Sequence, residues 1–485
     1  MRGVHLSCPY DFRGINVGRI VDRFVERVAS IAVQKLACPE TATLKWLFFK
    51  KKPPCTPFLR PHKFRTALFR ATLNLIGKYP RLLKAGRPQV NFLPMPHNNP
   101  RETSAERQVL FLLVILLAVG CVFLFVLSFQ GLAFAEPGGF PAFYGAAELA
   151  RYDLSQLYNP QLQNRFHPGN RGTGYFFHPP YEAVMLVPLS FLPQVEAYAV
   201  WSLFNLGCLL AGAKVLQRHF PSFSILIPIA FAPTLSLLAN GQDTGILVLI
   251  TAIAFDQFAC GRESSAGAIL ALGLIKFPFI VPLVVILCFR RWRVLLGFIA
   301  ASIPILGLSA AMIGAQGVRQ YIVMTRITDG KENPAILSNL RGLADILFGG
   351  NHPGWVIAIS VALVAYVAWL DLPRIQKFCV GVIVTQLVSW HGHLYDAVLL
   401  LIPMAWMLES EWKRARWFAI LLLVATPVLV VIPTHDYLLA ALESVLLVVL
   451  LEPRTRKNLL SEPALSPQTA SYSCSPVAVD GAQDR

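Results

Sequence analysis

Lys276 is the first residue that calls for a chemical explanation. It sits inside the apolar run 265–289, where an ionisable side chain is costly and signals either function or a stem reaching back to the membrane surface. His178 stands before Pro179-Pro180-Tyr181, and the two prolines fix the backbone so that a rigid turn presents the imidazole, either to a ligand or as a cap of the turn itself. Asn240-Gly241-Gln242-Asp243 is a tight polar turn with three side chains able to hydrogen-bond a ligand; polar turns are also common without function. His391 and His393 flank Gly392 with Asp396 beyond, a spacing that suggests a metal. No third convergent ligand is evident, so no metal site is expected. Asn339 and Arg341, with Arg319 and Arg326, offer anion ligands or lipid-headgroup anchors. Tyr144 and Glu148, four residues apart, share a face if their segment is helical.

These residues need a scaffold, and composition names its class. Of 485 residues 55% are apolar and only 14% charged, and many apolar runs reach bilayer length, so the chain reads as an all-α polytopic membrane protein. The net charge of +16 is concentrated: residues 1–108 carry 20 Lys and Arg against 6 Asp and Glu, whereas 109–451 carry 19 against 17. No basic motif interleaved with aromatics appears, so a nucleic-acid partner is not expected. Residues 1–108 read as a basic, disordered segment, either an arm on the anionic cytoplasmic leaflet or, for 1–94, an extension upstream of the true start at Met95. Residues 452–485, rich in Ser and Pro, read as a disordered cytoplasmic tail. The nine cysteines show no CxxC spacing, which implies neither a disulfide framework nor a zinc site.

The apolar runs set the order of the membrane domain, 109–451. A basic flank before 109–129 puts the N-terminus in the cytoplasm and makes 136–196 a large first extracytoplasmic loop with short interfacial helices. Spans then follow at 197–217, 222–239 and 244–260. Lys276-Phe277-Pro278 is expected to fold 265–289 into two short helices, keeping the basic Phe289–Arg293 stretch inside. Further spans at 294–313, 354–370, 378–390, 394–408, 416–432 and 437–451 give about twelve membrane helices with both termini cytoplasmic. His178, Asn240, Gln242, Asp243, Asn339, His391 and His393 then share the outer face. Positive-inside bias alone would also leave such residues there.

In order, the chain carries GGFPAFYGAAELARYDLSQLYNPQ, HPPYEAVMLVPLSFLP, AYAVWSLFN, NGQDTGILVL, LIKFP, RRWR and SWHGHLYDAVLLL. Together these resemble glycosyltransferase family 87, membrane enzymes of the GT-C superfamily similar to polyprenol-phosphate-mannose-dependent α-mannosyltransferases, over residues 109–450. The resemblance implies a GT-C-like fold and an inverting, metal-independent hexosyltransferase of the bacterial inner membrane. It implies transfer of a mannose-like sugar from a polyprenyl phosphate, with no cofactor, to an extracytoplasmic glycan or lipid acceptor. Membrane lipids are the surrounding partners. A general base deprotonates the acceptor hydroxyl, and cations or N–H donors stabilise the leaving phosphate. Under that reading Lys276 faces the phosphate, and His178 binds the phosphate or orients an acceptor hydroxyl. Tyr144, Glu148, Tyr181, Asn240, Gln242, Asp243, Asn339, Arg341, His391 and His393 line the substrate site.

One departure stands out. Where relatives of this pattern read Asp-Phe after the first span, this chain reads Gly139-Phe140, so the usual catalytic Asp is replaced by Gly139. Glu136, three residues earlier across Pro137-Gly138, is the expected substitute; Glu148 and Asp153 are the other nearby acids. A catalytically altered or inactive homologue, or a lipid or small-molecule transporter, are the competing readings. Transporters often show two similar halves, and no correspondence between 109–290 and 291–451 is visible.

Overall fold

The computed structural model describes residues 108–123, 139–166, 175–329, 333–349, 353–410, 412–431 and 436–451. The basic N-terminal segment, Glu136 and the tail lie outside the described residues. The described residues are helical and contain no strand.

By length and composition alone three helical stretches could cross a membrane, Gln194–Leu216, Glu263–Cys288 and Trp292–Arg326, although the second is bent at Lys276 and the third is broken at Gly314. Gln108–Phe123, Thr244–Ala259, Pro353–Trp369 and Tyr437–Val448 are apolar but fall short of the roughly 20 residues a perpendicular span needs. The expected twelve membrane helices are therefore not all seen as full-length helices among the described residues, and proline and glycine interrupt some of the apolar runs. The run at 222–239 divides into Ile227–Ala230 and Ala232–Asn240: Phe231 adopts an extended ψ of 108°, and Pro233, which lacks an N–H, cannot bond back to the carbonyl of Ile229. The run at 394–408 opens as a 3₁₀ segment, Leu394–Leu400, before becoming the helix Leu401–Glu409. The long helix Trp292–Asp329 is broken at Gly314, whose φ of 65° takes the chain out of helical geometry.

The expected fold-back at Lys276 is present. Helix Glu263–Leu272 passes through a 3₁₀ turn, Gly273–Lys276, and Lys276 leaves helical geometry (φ −122°, ψ 66°) before helix Phe277–Cys288. A straight helix would carry residue 291 about 42 Å from residue 263. Instead Arg291 Nη1 lies 3.1 Å from Glu263 Oε1, so the two arms form a hairpin with its bend at Lys276. The following helix crosses the base of this hairpin at close range: a Cβ on Gly267 would sit 1.9 Å from Val294 O, and one on Gly297 would sit 1.9 Å from Ser264 O. Only glycine lets the two backbones meet there.

Helix Arg374–Val388 is buried around nearly its whole circumference, as its VGVIV centre requires. Phe378 packs against Phe255 and Phe258, with ring centroids 5.3 and 5.8 Å away. A smaller aromatic core forms around helix Phe140–Tyr152, where Phe140, Phe143, Tyr158, Phe176, Tyr198 and Trp201 are buried together. The segment 178–193 forms a short helix, Pro180–Leu186, and a 3₁₀ turn, Val187–Phe191, too short to span as expected.

Candidate functional site

The turn after helix Ala232–Asn240 depends on Gly241, whose φ of +60° is left-handed and whose Cβ position would lie 2.6 Å from Phe140 Cβ. Trp201 Nε1 donates to Gly241 O (2.9 Å), and Tyr198 hydroxyl donates to Leu238 O (2.7 Å). Pinned in this way, the turn delivers Asp243 and Thr244 inward with no solvent exposure.

Lys276 meets them from the bend of the hairpin. Its Nζ lies 2.6 Å from Asp396 Oδ1, 2.7 Å from Thr244 Oγ1 and 3.1 Å from Asp243 Oδ1. Thr244 in turn donates its hydroxyl to Asp396 Oδ1 (2.7 Å), and Asp396 Oδ2 accepts the backbone N–H of His393 (3.1 Å). Two of the three ammonium N–H donors bond Asp396 and Thr244, and Asp243 lies at ion-pair distance. Lys276 therefore ties three chain segments together.

Asp243 links this knot to a second group. His178 Nδ1 lies 3.3 Å from Asp243 Oδ2 and 2.9 Å from Glu182 Oε2, one helical turn further on. The backbone under His178 is fixed, because Tyr158 hydroxyl donates to His178 O (2.5 Å) and Gln163 exchanges two hydrogen bonds with Phe176. Phe143, Phe176 and Phe177 surround the imidazole with centroids 5.1–5.4 Å away.

His178, Glu182 and Asp243 lie in loops and a short helix between the long apolar helices, and their electrostatics are coupled. Burial alone would lower the imidazole pKa, but the two carboxylates outweigh it and hold His178 well above its ordinary value. For Asp243 burial acts upward, yet Lys276 and His178 prevail and keep its carboxyl well below the usual range. Glu182 has His178 as its cationic neighbour and Asp243 as an anionic one; burial dominates and pushes its carboxyl up to about 7. The ligand atoms of His178, Glu182 and Asp243 all lie within 4.8 Å of one another, close enough for a metal ion to bridge.

The remaining expected residues fall around this cluster. Tyr181 hydroxyl donates to Leu272 O (3.2 Å), docking the 180–186 helix onto the hairpin. Asn339 holds the segment that carries Asp396: its Nδ2 donates to Ser389 O (2.6 Å), while Ser338 N–H donates to Gly392 O (2.8 Å). Arg341 stacks over Trp390 at 4.4 Å, His393 stacks on Tyr395, and His391 lies 6.2 Å from Phe177. Asn240 turns its amide back to Ser236 O. Tyr144 hydroxyl donates to Leu192 O (3.0 Å) beside Glu148, at the other end of that loop. Asp153 caps the turn at Ser155. Gly139 N–H donates to Asn240 O (3.1 Å), and a Cβ there would meet Gln242 Nε2 at 1.9 Å, so the Gln242 amide fills the space over the glycine.

The structure thus unites His178, Asp243 and Lys276, and adds three residues that the sequence reading did not single out as site members: Glu182, Thr244 and Asp396. Two signals were available. Glu182 follows His178 by four residues, and Asp396 closes the WHGHLYD phrase as an acid in an apolar context.

Residues 176–389 match the model of glycosyltransferase family 87. A polyprenol-phosphate-mannose-dependent α-(1-2)-phosphatidylinositol pentamannoside mannosyltransferase from Mycolicibacterium smegmatis is 25% identical over 268 residues. That similarity takes in 51% of this chain and 64% of the relative, so less than two thirds of the relative's length is spanned. No solved structure matches the chain.

Proposed function

We propose that this chain, similar across its core to glycosyltransferase family 87, is a membrane hexosyltransferase that moves a mannose-like sugar from a polyprenyl phosphate to an acceptor hydroxyl. The observation that carries the reading is the buried His178–Asp243–Lys276–Asp396 cluster, whose first three members lie inside the family-matched stretch. Its setting suits a lipid-borne donor, because the hairpin that supplies Lys276 is apolar and the loop that supplies His178 is aromatic and polar.

In the proposed transfer the acceptor oxygen attacks the anomeric carbon, and the bond to phosphate breaks with its electron pair leaving on the phosphate. His178, held cationic by its two carboxylates, offers Nε2–H to the leaving oxygen. Lys276, hydrogen-bonded to Asp396 and Thr244 and ion-paired with Asp243, keeps the two carboxylates in place. The acceptor proton goes to a carboxylate in the first loop, and Glu136, just before the anchored Gly139, is the proposed group. Inversion, independence from metal, an extracytoplasmic glycan or lipid acceptor, and a bacterial inner-membrane location with cytoplasmic termini complete the proposal.

A second reading has one observation in its favour. Gln242 occupies the space over Gly139, so a catalytically altered homologue would also look like this. The test is incubation of purified full-length protein with radiolabelled polyprenyl-phosphate mannose and a panel of lipid and glycan acceptors. Label transfer that is lost in His178→Ala supports the proposal, and no transfer from any polyprenyl-phosphate sugar overturns it.

A further inference from the structure

The buried cluster holds three carboxylates, Glu182, Asp243 and Asp396, against two cationic side chains, His178 and Lys276. The contacts are shared unevenly. Asp396 receives Lys276, the Thr244 hydroxyl and a backbone N–H, and Asp243 bridges Lys276 and His178. The cluster contact of Glu182 is with His178, at 2.9 Å, although Glu182 is only 2% exposed. A buried carboxylate is stable only with a partner. The state of Glu182 and the state of the imidazole are therefore one question.

The ring has little freedom of its own, because its carbonyl is held by Tyr158 and its chain continues into Pro179-Pro180. Its Nδ1 is buried at ion-pair distance from both carboxylates, 2.9 and 3.3 Å, without hydrogen-bond geometry to either, so charge holds the ring and the Nε2 edge is the one turned away from them.

We propose that Glu182 is a positioning residue: with Asp243 it holds His178 Nδ1–H so that Nε2–H points at the donor phosphate, and loss of its negative charge releases the imidazole and slows transfer. This rests on the function proposed above. The titratable and charged groups facing Glu182 are His178, Asp243 and, one layer out, Lys276, Tyr158, Tyr181 and Tyr321. Burial raises the Glu182 carboxyl, so the charge that holds His178 is present above its titration near pH 7 and disappears as pH falls through it.

The experiment uses the full-length protein in nanodiscs with polyprenyl-phosphate mannose as donor. Glu182→Gln is expected to lower kcat about 10-fold or more with a smaller change in KM, and to remove the acid-side fall in activity expected of the wild type near neutral pH. Glu182→Asp, which keeps the charge, recovers part of the rate. In parallel, ¹⁵N-histidine NMR, with His178→Gln for assignment, follows the imidazole itself; its titration is expected to drop toward the ordinary histidine range in Glu182→Gln. Unchanged kcat and pH profile in a Glu182→Gln protein that transfers sugar would overturn the proposal, as would an unchanged His178 titration whatever the activity. A shifted titration in a protein whose wild type transfers no sugar would refute the functional reading and leave the Glu182–His178 coupling standing. Melting temperatures of the variants identify any that fail to fold, and in that case Glu182→Asp alone decides.

Discussion

Lys276 Nζ and Asp396 Oδ1 lie 2.6 Å apart although 120 residues separate them in the chain. That contact, with Thr244 between them, closes three separate apolar segments around one buried ammonium. An arrangement of this kind costs little while complete and a great deal when one member is removed, because the others then stay buried without partners.

Lys276→Met is accordingly expected to destabilise the protein by about 3–5 kcal/mol, since it takes from Asp243 and Asp396 the cation they share. Pairing it with Asp396→Leu is expected to cost less than the sum of the two single changes. Thermal unfolding in detergent of the two single variants and the double variant checks this, and strict additivity would show that the contact is energetically idle.

The Gly139 position gives a rescue experiment. With Glu136 as proton acceptor, Glu136→Ala lowers transfer by about 10²-fold or more. Gly139→Asp in that background restores part of it once Gln242, whose amide fills that space, is shortened to Ala. Full activity in Glu136→Ala alone would remove Glu136 from the mechanism.

Chelation tests for a bound ion. Dialysis against EDTA is expected to leave transfer unchanged. Loss of activity restored by Mn²⁺ or Mg²⁺ would instead assign His178, Glu182 and Asp243 to a metal, since their ligand atoms are close enough together to hold one.

The hairpin base makes a prediction about folding. Gly267→Leu places a side chain where Val294 O already lies, and expression of folded protein is expected to fall sharply. Surface change nearby, such as Ser265→Ala, is expected to be neutral; fluorescence-detected size exclusion distinguishes the two.

Much of this architecture was legible in the chain because apolar run length and proline are local signals. The helices Gln194–Leu216, Thr244–Ala259 and Pro353–Trp369 begin and end within three residues of the runs that announced them. Lys276-Phe277-Pro278 announced the hairpin bend for the same reason, since an ammonium and a proline both resist the middle of a straight apolar helix. What stayed hidden was pairing. Lys276 meets Asp396 and Asp243, and nothing local to position 276 says which distant carboxylates will arrive. Asp153, a candidate base, caps a turn, a role that needs only its neighbour Ser155. Asn339, a candidate ligand, clips the backbone at Ser389, a partner 50 residues away.

The bend of the hairpin, not either of its arms, carries the ammonium, and that gives the molecule a depth gauge. Sliding the hairpin by a single helical turn relative to its neighbours would move Nζ by about 5 Å and strand it from both carboxylates at once. Only one register of the hairpin against its neighbours lets the charge meet both counterparts.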